Sequence, residues 1–192
     1  MSAFALPRLF PMPIANPLAR SLLLLTLALL LPAFAARAEL RVPEPQGLQR
    51  VGSGTLRWLG FHVYDASTWA TVPSLPRDGS VPAPFALQIT YARAISADDL
   101  VGATASAWED LGLLDAKATA WLPQLQQLWP DVKAGDTLVL HIDETRQARF
   151  YYNGELLGSV ADAEFGPRFA AIWLHPDSSE STLRRQLLGE RS

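Results

Sequence analysis

Three histidines are the first residues to weigh for chemistry. His62, His141 and His175 offer no pair at metal-ligand spacing such as H-x-x-x-H, and the chain has no cysteine. No metal site is expected. Without a thiol there is no thiolate nucleophile and no disulfide. Serine chemistry lacks its elbow. Gly52-Ser53-Gly54 is too short for G-x-S-x-G and leads into a strand, not a helix. With no helix N-terminus behind it, it is also a poor phosphate loop. Asp98-Asp99 and Asp143-Glu144 read as a helix start and a turn, not as catalytic pairs. No residue is assigned a catalytic role, and no cofactor is implied.

The arginines point to binding. Arg93 follows Phe85, Leu87, Ile89 and Tyr91 at strand alternation. A cation closing an apolar face suits an amphipathic ligand, with its tail on the wall and its acid at the guanidinium. Arg50 stands just before the glycine pair. A solvated rim charge is the plain alternative for each. The walls come from GSGTLRWLGFHVYDASTW (52–69). Alternation puts Leu59, Phe61 and Val63 on one face and Trp58, Gly60, His62 and Tyr64 on the other. The first face reads as core. The second, with an indole, an imidazole and a phenol, reads as a cleft wall or as the amphipathic rim of a core strand. The candidate ligand-binding residues are Arg50, Trp58, His62, Tyr64, Tyr91 and Arg93.

The N-terminus sets the compartment. Met1–Arg20 has arginines and no acid, Ser21–Leu31 is SLLLLTLALLL, and Ala36-Arg37-Ala38 follows. That is the order of a secretory signal peptide, cleaved between Ala38 and Glu39. The apolar run is short of the ~20 residues a bilayer span needs. The expectation is therefore export to the periplasm, or secretion, with no membrane span left after cleavage. The 154 residues from Glu39 onward suffice for one domain. Three of the sixteen basic residues (Arg8, Arg20, Arg37) precede the cut and all nineteen acids follow it. Thirteen bases then face nineteen acids, a net charge of −6. Such a chain has no electrostatic footprint for nucleic acid and no basic patch for anionic lipid. Oligomeric state is left open.

The elements that must position these residues follow from pattern. Residues 39–46, with Pro43 and Pro45, form an extended lead-in to a domain over 47–189. Gly47–Val51 and Thr55–Trp69 read as strands around a Gly52–Gly54 turn. Val72–Pro84 holds four prolines and reads as a surface loop or flap. Phe85–Arg93 is an amphipathic strand. Ser96 caps a helix that Gly112 stops. Asp115–Trp129 is helical, and Pro123 inside it implies either a break near Trp121 or a helix that begins there. Thr137–Asp143, Ala148–Tyr152 and Glu155–Val160 are strands, the last two joined by Asn153-Gly154 as a type I′ hairpin. Asp162 caps a helix through Trp173, and Ser178 or Ser179 caps the last one, Thr182–Leu188. Strands on either side of a helical middle imply an α+β fold, a largely antiparallel sheet with helices packed on one face.

Four blocks in order carry a resemblance: residues 52–69 above, PFALQITYARAIS (84–96), FYYNGELLG (150–158) and FAAIWLHPDSSESTLRRQLLG (169–189). Together they resemble the bacterial branch of the chalcone isomerase-like family, over Gly47 to Gly189. The resemblance implies an open-faced sandwich with a cleft between sheet and helices. It also implies a choice of roles, since the family holds isomerases, fatty-acid-binding members and non-catalytic ones. Plant-type isomerases use an Arg, a Thr and a Tyr. With Gly54 as the strand-opening glycine, those positions fall on Leu48, Gly60 and Leu100, and all three are lost. A gap of two residues restores Arg50 alone. Fatty-acid-binding relatives use an Arg and a Tyr, which Arg50 or Arg93 with Tyr64 or Tyr91 would imitate. The expected role is binding a small amphipathic or aromatic molecule, of fatty-acid or polyphenol type, without catalysis. The alternatives are an intramolecular lyase or isomerase acting on an unsaturated carbonyl compound, and a structural envelope protein with no ligand.

Overall fold

The computed structural model describes residues 47–190. The expected signal peptide, its expected cleavage between Ala38 and Glu39 and the expected lead-in 39–46 lie outside the described residues. These described residues form one compact unit.

Six strands run β1 (Gln49–Trp58), β2 (Phe61–Ala70), β3 (Phe85–Tyr91), β4 (Thr137–Ile142), β5 (Ala148–Tyr152) and β6 (Glu155–Val160). They pair in chain order, each antiparallel to the next, in one sheet. Helices α1 (Ala97–Asp110) and α2 (Ala116–Leu128) follow β3, and α3 (Phe165–Leu174) and α4 (Ser181–Leu187) follow β6. All pack toward the face carrying Ala66, Phe85, Leu87, Ile89, Leu140 and Phe150, which form one core with Trp108, Trp121, Leu125 and Phe169. Most aromatics there meet edge-on, while Phe165 and Phe169 stack. Phe150 touches Trp129, Phe165 and Phe169 at centroid distances of 5.3–5.9 Å, the separations at which ring edges meet ring faces favourably. The fold is the α+β open sandwich expected. Among the described residues no helix is long and apolar enough to cross a membrane.

Several local expectations change. Gly52-Ser53-Gly54 is not a turn but lies inside β1. A Cβ at Gly52 would collide with the Gln186 carbonyl of α4, and one at Gly54 would lie 2.7 Å from Leu183 Cδ1. These glycines let a helix approach a strand backbone, a use that looks the same as a turn in sequence. The turn is Leu59-Gly60, with φ 48° and 84°. Helix α2 is unbroken through Pro123. The proline sits on the exposed face between buried Trp121 and Leu125, so water reaches the carbonyl it leaves unpaired. Ser178 and Ser179 do not cap α4. Its N-cap is Glu180, while the Ser178 hydroxyl donates to the Ile172 carbonyl at 3.0 Å. Asp162 stands two residues ahead of the α3 N-cap, Glu164, and accepts its N–H at 3.0 Å. The proline-rich stretch 72–84 is no flap. Leu75 and Val81 are buried, and the Leu75 N–H donates to the Leu188 carbonyl at 3.0 Å. Ser96 does cap α1, its Oγ accepting from the Asp99 N–H at 3.1 Å and donating to the Asp99 carboxylate at 2.6 Å.

Candidate functional site

A cavity of about 240 Å³ lies between the sheet and helices α1 and α3. The sheet supplies Leu56, Val63, Tyr64, Ile89, Tyr91 and Leu138. The helices and the segment after α2 supply Leu100, Ala103, Thr104, Trp129, Phe169, Ile172 and Trp173. A groove of about 540 Å³ adjoins it, sharing Leu56, Tyr64, Ala103, Ile172 and Trp173 and adding Trp58, Asp110, Leu111, Asp177 and Glu180. The cavity alone is below the 300–1,000 Å³ of ordinary small-molecule pockets. With the groove it reaches that range.

A β-bulge shapes the wall. Leu56 pairs with Tyr64 and Arg57 with His62, so Val63 is the extra residue of β2. The bulge interrupts strict alternation, and Val63 and Tyr64 both reach the cavity. Nothing in the residue types announces it. This overturns the two-face reading of 52–69. His62 parts from Tyr64 and joins the outer side of the sheet, its Nε2 3.1 Å from the Asp65 carboxylate, which also accepts the Thr55 hydroxyl at 2.6 Å. Phe61 and Leu59, expected in the core, are exposed.

The cavity's polar groups are few. Trp173 Nε1 donates to the Tyr64 hydroxyl at 2.7 Å, which leaves the phenol's own proton to give. Tyr91 is 5% exposed, its ring edge-on to Tyr64 at 6.3 Å, and its hydroxyl has no partner among the described residues. Burial pushes the Tyr64 phenol up to about 12, and it pushes Tyr91 up as well, with the neighbouring Tyr64 adding to the shift. Both stay neutral donors through the physiological range. Trp129 Nε1 is buried without an acceptor. The Thr104 hydroxyl is committed to the Leu100 carbonyl at 2.9 Å. The one carboxylate in the lining is Asp99, held by Ser96.

The structure thus brings Tyr64 and Tyr91 together in the cavity and sets Trp58 on the groove. It leaves Arg50, His62 and Arg93 out of both linings. Arg50 pairs with Trp69, which packs on the opposite face of the sheet with Ala86 and Val139. Strand β3 stops at Tyr91, so the alternation that aimed Arg93 at the cavity ends two residues early, and Arg93 is exposed. Trp129, Trp173, Ile172 and Thr104 were not foreseen as lining. Leu100, Thr104 and Trp108 stand at i, i+4 and i+8 of α1, a spacing that does mark one helix face.

Comparison with known proteins agrees with this architecture. An uncharacterized protein of Haemophilus influenzae is 28% identical over 142 residues, 74% of this chain and 68% of that one. The crystal structure of an Arabidopsis thaliana fatty-acid binding protein superposes with a TM-score of 0.54 at 14% identity, over 75% of this chain and 88% of the other. The sequence pattern of the chalcone isomerase-like family matches residues 37–189. This chain belongs to the chalcone isomerase-like family.

Proposed function

We propose that the protein binds a small, mostly apolar or aromatic molecule in this cavity without transforming it, and that it does so after export. The observation that carries the reading is the pairing of an apolar lining with two protonated phenols and no Arg, Lys or His among the described lining residues. Such a wall takes a hydrocarbon or ring system plus one uncharged acceptor oxygen, a carbonyl, ester or ether, held by Tyr91 and Tyr64. A free carboxylate would lose its hydration with no cation to replace it and with Asp99 nearby. The Arabidopsis neighbour is named for fatty acids, but its likeness extends to fold. Phenols this tightly protonated are poor bases near neutral pH. Chalcone incubated with the protein should therefore cyclise at the background rate.

The test is titration of the protein's tryptophan emission, with Trp129 and Trp173 in the wall as reporters. The probes are a medium-chain methyl ketone, the matching carboxylic acid and a flavonoid. The ketone or flavonoid should bind more tightly than the acid above the acid's pKa. Tyr91→Phe should weaken ketone binding about 3- to 10-fold, the worth of one neutral hydrogen bond. Equal affinity of the acid, lost on Arg93→Met or Arg50→Met, would refute the reading and restore an arginine anchor. Export rests on the leader pattern, and N-terminal sequencing of the mature protein should begin at Glu39.

A further inference from the structure

The β1–β2 hairpin outreaches its sheet. Strand β2 last pairs with β3 at Tyr64–Tyr91, with one further bond from the Ala92 N–H to the Val63 carbonyl. Beyond that point it is a bare two-stranded ribbon, about three residues or 10 Å long at ~3.3 Å per residue. Its end carries Trp58, Leu59 and Phe61, exposed at 64%, 82% and 71%. The turn between them is costly. Leu59 holds φ 48°, a conformation that suits Asn or Gly and penalises a bulky side chain. The β5–β6 hairpin of the same chain uses Asn153 at φ 50° in the corresponding place. Leu59 recovers nothing by packing, because it is the most exposed large apolar residue described. Its side chain serves something outside the fold.

We propose that this tip docks the protein on a lipid bilayer, with Trp58, Leu59 and Phe61 entering the interfacial layer. The ribbon's reach matches the ~5–10 Å to which interfacial elements sink. The area argues against a protein partner or a second copy. Two aromatics at roughly 150–250 Å² each and one leucine fall short of the ~800 Å² per partner of a standard interface. Tryptophan at the base of an apolar tip suits the headgroup level. Charge around it is net acidic, with Arg57 beside Trp58 on β1 and Asp110, Asp177 and Glu180 across the groove that Trp58 lines. The docking is therefore apolar and gains nothing from anionic lipid. It stands apart from the cavity reading. One consequence does rest on that reading: the groove from Trp58 to Tyr64 gives an apolar ligand a path between bilayer and cavity.

The test is co-sedimentation of the chain from Glu39 to Ser192 with phosphatidylcholine vesicles, with and without phosphatidylglycerol. This chain contains all the described residues, which form one compact unit, and omits the leucine-rich leader, which would bind lipid by itself. Wild type should bind phosphatidylcholine vesicles at least as well as the mixed ones and withstand added salt. Brominated lipid should quench an emission component that Trp58→Phe removes. Leu59→Asn combined with Phe61→Ser should weaken vesicle binding about tenfold or more. Its melting temperature should stay level or rise, because Asn accepts the backbone that Leu resists. Ketone titration of the same variant in solution reads the cavity separately. Undiminished vesicle binding by the variant, or none by wild type, overturns the proposal. A wild-type dimer that the variant dissolves would assign the tip to a second copy and also overturn it.

Discussion

Asp136 shows how a single side chain holds one end of the sheet. Its carboxylate accepts the Tyr152 hydroxyl at 2.6 Å, the Asn153 amide at 3.0 Å and the Lys133 N–H at 2.7 Å. Burial works against its charge, but the Tyr152 and Asn153 bonds outweigh that and hold the carboxyl below its usual value. The bond to Asp136 in turn pushes Tyr152 up to about 12. Replacing Asp136 by Ala should cost about 1–3 kcal/mol through the donors it strands, read as a lower denaturation midpoint. The pH signs follow. A carboxyl with a depressed folded pKa lends stability above its unfolded value, near 4, and loses it as pH falls through the folded one. Phenols with raised folded values lend stability below their unfolded pKa, near 10, and lose it as pH rises through the folded ones. Tyr64, Tyr91 and Tyr152 are three of the four tyrosines and all are shifted upward. Tyrosinate absorbance of the native protein should therefore develop mostly above pH ~10, together with loss of structure. Three phenols titrating near 10 with the fold intact would contradict the enclosed Tyr64–Tyr91 pair and the Asp136–Tyr152 bond.

At the scale of elements, one hairpin, one helix contact and one proline-bearing helix decide the outcome. The Asn153-Gly154 turn, at φ 50° and 88°, is the type I′ connection its sequence announces. Gly154→Val should cost on the order of 1–3 kcal/mol, read as a melting temperature lower by about 2–4 °C per kcal/mol. Gly52 is needed for a different reason. Adding one methyl pushes into the α4 backbone at Gln186. Gly52→Ala should destabilise by about 1–3 kcal/mol, with α4 the element displaced, seen as lost amide-exchange protection at Leu187 and Leu188. Were Gly52 a turn residue, Ala there would leave α4 untouched. Helix α2 shows local propensity yielding to packing. Trp121 and Leu125, 3% and 0% exposed, anchor it on both sides of Pro123, so the core holds together what the proline alone would break.

Over the whole molecule, the sequence by itself determined the α+β class, the element order, the Asn153-Gly154 hairpin, the Ser96 cap and the family blocks. These depend on periodicities and turn chemistry within about ten residues, and such signals survive in one dimension. It also singled out Tyr64 and Tyr91, because aromatics at alternate positions mark a sheet face. Only the tertiary structure decided which cations and aromatics share a space. The bulge at Val63 separates His62 from Tyr64. The end of β3 at Tyr91 leaves Arg93 outside the cavity, and the register Arg50–Trp69 carries Arg50 to the opposite face. A strand reverses the facing of every later side chain when one residue is added or pairing shifts by one. That choice is made by hydrogen bonds to a neighbouring strand and by helices arriving from a hundred residues away, as α4 does at Gly52. Residue types report what a site can be made of. Register and packing determine which of them meet, and here they join two phenols and leave the arginines in water.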